Sequence, residues 1–240
     1  MNNDFYVGYV PHAPTRLANW VRKVIIGIFA GAAAVALLLV FAQQPFPAAV
    51  FEYGQSQTFS GIVREFPAPS LEVDDGRLIL LVAPGKHGAD VASYSGKAVD
   101  VLGSRIQRDG DHMVEIVPGS IRPIDTAVRP PREWVRVGEF ELKGEIVDSK
   151  CYLGVMNPGD GKVHRDCAAR CISGGIPPAL IARDSNGRRK LLLLTGSQGR
   201  AIQRDVVQFA GETVSVRGPV FRLADQFRIE TDPRTINRVE

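Results

Sequence analysis

The amino-acid sequence predicts a mainly β protein: one N-terminal transmembrane helix, then two tandem small OB-like β-barrels, the second carrying a helical insertion that bears cysteine and histidine. Three observations lead there. Residues 24–42 form an unbroken apolar run, the remainder repeats one order of short β-prone segments twice, and the second copy holds about 30 residues that the first lacks. Sixteen prolines and 24 glycines, set among short runs of Val, Ile and Leu, favour turns and short strands over long helices. A hydrophobic content of 45% is that of a folded chain rather than a disordered one. The net charge of +3, spread over 29 basic and 26 acidic residues, supplies no basic face, so no nucleic-acid partner is expected.

The first element is the run VIIGIFAGAAAVALLLVFA, 19 residues without a charge. A helix of about 20 apolar residues spans a bilayer core of about 30 Å. Arg16, Arg22 and Lys23 precede the run, and the next charge is Glu52. Positive charge on the N-terminal side keeps residues 1–23 in the cytoplasm and places the chain after the span outside the inner membrane, in the periplasm. Trp20 and Phe46, near the two ends, suit the headgroup level. The competing reading is a cleaved signal peptide, since Val40-Phe41-Ala42 before Gln43 offers the small residue that cleavage requires. Against it, the run exceeds the usual apolar core of a signal peptide and the leader before it is long.

After a linker at 43–57, the first barrel is expected over 58–122 and the second over 139–240, joined by a proline-rich linker at 123–138 that contains Arg129-Pro130-Pro131-Arg132. The order of segments repeats. Phe59-Ser60-Gly61-Ile62-Val63 matches Leu142-Lys143-Gly144-Glu145-Ile146-Val147, and Leu78-Ile79-Leu80-Leu81 matches Leu191-Leu192-Leu193-Leu194. The glycine-bounded strand at 96–103 matches that at 211–218, and each is followed by a polar turn and a further strand. Closing such a unit into a barrel removes its exposed edges. The offset between copies is 83 at Gly61 and Gly144 but 115 at Gly96 and Gly211, so an insertion at about 149–180 lies between the first and second strands of copy two. A scaffold repeated twice and decorated once places function in the decoration.

That insertion contains all three cysteines of the chain, Cys151, Cys167 and Cys171, together with His164. Residues 157–161 read as a loop, 162–172 as a short helix, Gly174 as its left-handed terminating residue, and Pro177-Pro178 as the stop. On such a helix His164, Cys167 and Cys171 share one face at i, i+3 and i+7, with Cys151 approaching from the preceding strand. Three thiolates and an imidazole suit zinc, copper or iron, and Met156 is a further soft donor nearby. Two other readings of the same residues stand beside the metal site. A disulfide from Cys151 to Cys167 or Cys171 would staple the insertion in an oxidising compartment, whereas one between Cys167 and Cys171 suits a helix poorly. A reactive thiol helped by His164 needs an orienting carboxylate, and Asp166 points away. His12, His87 and His112 stand in no such constellation and are expected to be ordinary surface or turn residues.

Residues 144–178, in particular Asp148-Ser149-Lys150-Cys151-Tyr152-Leu153-Gly154 and the 164–178 run, resemble a segment of uncharacterised bacterial single-span membrane proteins. The resemblance covers about 35 residues and implies proteins that accompany periplasmic respiratory or molybdenum oxidoreductases. With no catalytic machinery in evidence, the expectation is a non-catalytic accessory or assembly subunit of an envelope redox complex, held to the lipid bilayer by residues 24–42 and docked on a protein partner. The alternatives are a periplasmic copper- or zinc-handling protein using Cys151, His164, Cys167 and Cys171, and an extracytoplasmic thiol oxidoreductase.

Overall fold

The computed structural model describes residues 13–43 and 49–239. His12 and Phe46 lie outside the described residues. The chain divides into two units, residues 1–46 and 47–240.

In the first unit, helix α1 (Thr15–Ala42) contains the apolar run and extends it N-terminally by the stretch that carries Arg16, Arg22 and Lys23. Its 28 residues make it long and apolar enough to cross a membrane, and none of its side chains is buried against protein. At 1.5 Å per residue the helix is about 42 Å long.

The second unit is mainly β and contains two closed five-stranded barrels. The first is built from β1 (Ala49–Arg64), β2 (Ser70–Glu72), β3 (Leu78–Val82), β4 (Ala98–Arg108) and β5 (Asp111–Ile116), edged by the short β6 (Arg122–Pro123). The second uses β7 (Val135–Asp148), β8 (Pro178–Arg183), β9 (Arg189–Thr195), β10 (Thr213–Leu223) and β11 (Gln226–Glu230), edged by β12 (Asn237–Arg238). In the first barrel the neighbours run β1-β2-β3-β5-β4, and β4 pairs back on β1; in the second they run β7-β8-β9-β11-β10, and β10 pairs back on β7. The β3–β5 and β9–β11 pairings are parallel and the others antiparallel. This is the five-stranded Greek-key barrel of the OB type, made twice from one chain.

Equivalent glycines let the barrels close. A Cβ on Gly61 or Gly144 would collide with the carbonyl of Glu72 or Ile181 on the adjacent strand, and one on Gly103 or Gly218 with that of Glu115 or Glu230. Strands β1 and β7 begin earlier than the repeat suggests, within the segments read as linkers. A register shift between Phe51 and Ser56 divides β1 into two runs on β4, so one strand wraps around the barrel.

The leucine-rich runs explain how the barrels adhere. Leu81 faces the interior of the first barrel with Val63, Leu71, Val99, Val101 and Val114. Its neighbours Leu80 and Val82 face outward, into a cluster with Ile106 and Met113 and, from the second barrel, Val147, Ala179, Ile181, Leu191 and Leu193. In β9, Leu192 and Leu194 fill the second barrel while Leu191 and Leu193 take the shared face. Successive strand residues point to opposite faces, so a strand buried on both faces is apolar at every position. The polar contacts of this junction are specific: the side-chain amide of Gln226 accepts from Leu78 N at 3.0 Å and donates to Leu78 O at 2.6 Å.

Candidate metal centre

The expected insertion is present as residues 149–177, joining β7 to β8, where the first barrel has only the loop 65–69. In OB barrels the loop between the first two strands is a usual place for ligands. It opens with a wide helical turn, Cys151–Val155, and continues through a 3₁₀ turn, Lys162–His164, into α2 (Arg165–Ser173). Cys151, Tyr152, Leu153, Cys171 and Ile176 are all buried in the inter-barrel cluster, and Cys167 packs against it. The decoration is therefore the filling between the two barrels.

The left-handed residue that ends α2 is Gly175, at φ 97°, rather than Gly174, at φ −79°. Gly174 is needed for a different reason: a Cβ there would overlap the carbonyl oxygen of Lys86, on the first barrel. The backbones of the two barrels touch at this point, and Gly88 N donates to Gly174 O at 3.0 Å.

The chemistry-bearing side chains converge from three directions. Cys151 comes from the turn after β7, His164 from the 3₁₀ turn ahead of α2, and Cys167 and Cys171 from α2 itself. Cys151 Sγ lies 3.9 Å from Cys171 Sγ. Donor atoms of Cys151, His164 and Cys167 lie within 4.8 Å of one another, as do those of Asp148, Cys151 and Cys171. Cys151 belongs to both sets and is the hub. All three thiols are free, with Cys151 and Cys171 buried and Cys167 partly exposed. Met156 is exposed in the turn beyond, and Asp166 is exposed on the outer face of α2, as its position in the helix requires.

Four residues that the sequence reading assigned no role complete the site. Asp148 is fully buried; its Oδ1 accepts from Cys151 N at 2.8 Å, and its Oδ2 lies 3.0 Å from His164 Nε2. An aspartate accepting from the backbone N–H three residues on is a local turn-capping pattern, so Asp148-Ser149-Lys150-Cys151 carried a legible signal. Lys86 Nζ donates to Cys167 Sγ at 2.8 Å and approaches Cys171 Sγ at 3.8 Å. Lys150 is 1% exposed; its ammonium crosses into the first barrel, donating to Ala83 O (2.9 Å) and Gly85 O (2.7 Å) and pairing with Glu115 Oε2 at 2.5 Å. No short-range pattern points to Lys86 or Glu115, because both reach the insertion only through the barrel junction.

The hydrogen bond between Cys151 and Cys171, helped by the Lys86 ammonium, brings the Cys171 thiol down to about 7 against the opposing effect of burial. The same bond, together with desolvation, pushes the Cys151 thiol well up. Its contact with Cys167 raises the Lys86 ammonium above the usual lysine range. Of the histidines outside the cluster, His87 is exposed and His112 is held by Arg77 at 3.2 Å, with burial lowering its pKa.

The donor chemistry suits an ion of soft or borderline character, with the ligand atoms in two overlapping sets, Cys151–His164–Cys167 and Asp148–Cys151–Cys171, that share Cys151. Two thiolates on one zinc, each about 2.3 Å from it, stand about 3.8 Å apart, and the Cys151–Cys171 separation of 3.9 Å matches that spacing. A ligating histidine usually gives its other ring nitrogen to a carboxylate, which fixes its tautomer and aims the ligating nitrogen. Asp148 lies 3.0 Å from His164 Nε2 and can play that orienting part. No family model, curated protein or solved structure matches this chain. The fold and the site together define a two-barrel β protein with a cysteine- and histidine-rich centre at the barrel junction.

Proposed function

We propose that this chain is a membrane-anchored metal-handling protein of the cell envelope, which holds one zinc or cuprous ion through Cys151, His164, Cys167 and Cys171. The observation that carries the reading is the convergence of these donors on Cys151, with a buried carboxylate behind the imidazole. Helix α1 is the tether, its basic N-terminal flank stays in the cytoplasm, and the barrels lie outside the inner membrane. Burial of three of the four donors favours retention of the ion over an open catalytic position. An accessory role on an envelope redox complex is compatible with this reading, with the metal centre as the part such a complex would use.

The test is elemental analysis of the full chain purified without chelator, paired with a count of free thiols in denaturant. About one metal per chain with three free thiols supports the proposal. A second reading, thiol–disulfide exchange by the Cys151–Cys171 pair, is favoured by their 3.9 Å separation. It predicts no metal and a single free thiol, a result that would replace the first reading.

A further inference from the structure

Lys86 lies in the segment of the first barrel that follows β3, 65 residues before the nearest cysteine in sequence. Among the described residues its ammonium meets two sulfurs, Cys167 at 2.8 Å and Cys171 at 3.8 Å, and no carboxylate within ion-pairing distance. Lys150, the other lysine at this junction, pairs instead with a carboxylate, that of Glu115 in β5. The backbone around it is held at both ends: Lys150 binds the carbonyls of Ala83 and Gly85, and Gly88 bonds to Gly174. The ammonium is thus carried to the thiols on a fixed strut.

Resting on the metal reading above, we infer that Lys86 is the charge-balancing residue of the centre, supplied by the first barrel to an ion whose ligands all come from the second. Three thiolates and a neutral imidazole leave a zinc complex with one negative charge and a cuprous complex with two. Burying that charge is costly, and an ammonium at hydrogen-bond distance from two of the sulfurs offsets it. Cys167, the partly exposed donor, is the sulfur that Lys86 caps, so the lysine stands at the open side of the site. The first barrel then has a stated purpose. It covers the insertion and compensates its charge, and metal binding in turn holds the two barrels together, because such coupling is reciprocal.

The experiment measures zinc and cuprous affinities of the full chain in detergent, by competition with chelators, for the wild type, Lys86→Met and Lys86→Arg. The methionine is an unbranched chain one atom shorter and removes the charge. Lys86→Met is expected to weaken zinc by about tenfold or more, the scale of an outer partner of a metal ligand, and the cuprous ion by a larger factor. Lys86→Arg is expected to recover most of both. A folding defect would weaken the two ions alike and would not be rescued by arginine. A variant-free measurement accompanies it: in the wild type, metal is expected to slow backbone hydrogen exchange over residues 83–88. Equal loss of both ions without rescue, unchanged affinities in Lys86→Met, or no metal-dependent protection of residues 83–88 would overturn the inference while the metal centre stands. A wild type that binds neither ion would remove the metal reading itself.

Discussion

Asp148 and His164, sixteen residues apart in sequence, form a buried pair with the carboxylate Oδ2 3.0 Å from the imidazole Nε2. The other carboxylate oxygen accepts from Cys151 N, so one aspartate orients two of the four donors. A single side chain at the end of β7 therefore couples the strand, the cysteine turn and the start of α2.

Asp148→Asn retains the shape of the side chain but loses the charge that settles the imidazole tautomer. Zinc affinity is expected to fall by about 10- to 100-fold, as for other carboxylates placed behind a metal-bound histidine. Chelator competition measures it, and the count of three free thiols in denaturant should not change.

Lys150→Met removes the partner of Glu115 and of two carbonyls in one step. Breaking a buried ion pair from one side typically costs about 3–5 kcal/mol, and the partial exposure of Glu115 puts the expected loss at the low end. Chemical denaturation reads it directly. In the double variant Lys150→Met, Glu115→Gln, the loss should be smaller than the sum of the singles, because the stranded carboxylate is gone.

Gly174→Ala places a methyl group where the Lys86 carbonyl lies. One barrel has to shift against the other, a distortion of about 1–3 kcal/mol by analogy with overpacked cores. The shift also moves Lys86 away from the thiols, so metal affinity and stability should fall together. Thermal unfolding and metal titration of the same preparation test both.

Asp111 supplies a pH signature away from the centre. Burial pushes its carboxyl from the usual 3.8 up to about 7, with Asp109 and Asp225 adding to the rise and Lys190 opposing it. The folded chain thus binds this proton more tightly than the unfolded chain does. Its contribution to stability falls as pH rises from about 4 to about 7 and stays lost above that. Asp111→Asn should raise the melting temperature at pH 8 and leave it nearly unchanged near pH 4, as scanning calorimetry would show.

Much of this architecture was legible in the sequence. The apolar run ahead of Gln43 required a helix, and the two matched sets of strands with one interruption required a repeated barrel with a loop inserted after its first strand. The i, i+4 spacing put Cys167 and Cys171 on α2, because helical periodicity is a local property, whereas His164 stands one residue ahead of that helix in the 3₁₀ turn Lys162–His164. Gly174 and Gly175 are equivalent in sequence pattern, and only the carbonyl of Lys86 distinguishes the glycine required for space, Gly174, from the glycine required for a left-handed backbone, Gly175.

The sequence by itself determined what has a local cause: an apolar helix long enough to cross a membrane, the succession of strands in each barrel, the position of the insertion and the sulfur and imidazole side chains it carries. Only the tertiary structure decided that the insertion is packed between the barrels, that Asp148 rather than Asp166 orients His164, and that the lysine facing the thiols comes from the other barrel. The physical reason is that periodicity and turn chemistry act over a few residues. The charge balance of a buried site is set by whichever segments the two barrel surfaces bring together, and Leu80 and Leu193 reveal those surfaces only once both faces of their strands are seen to be buried.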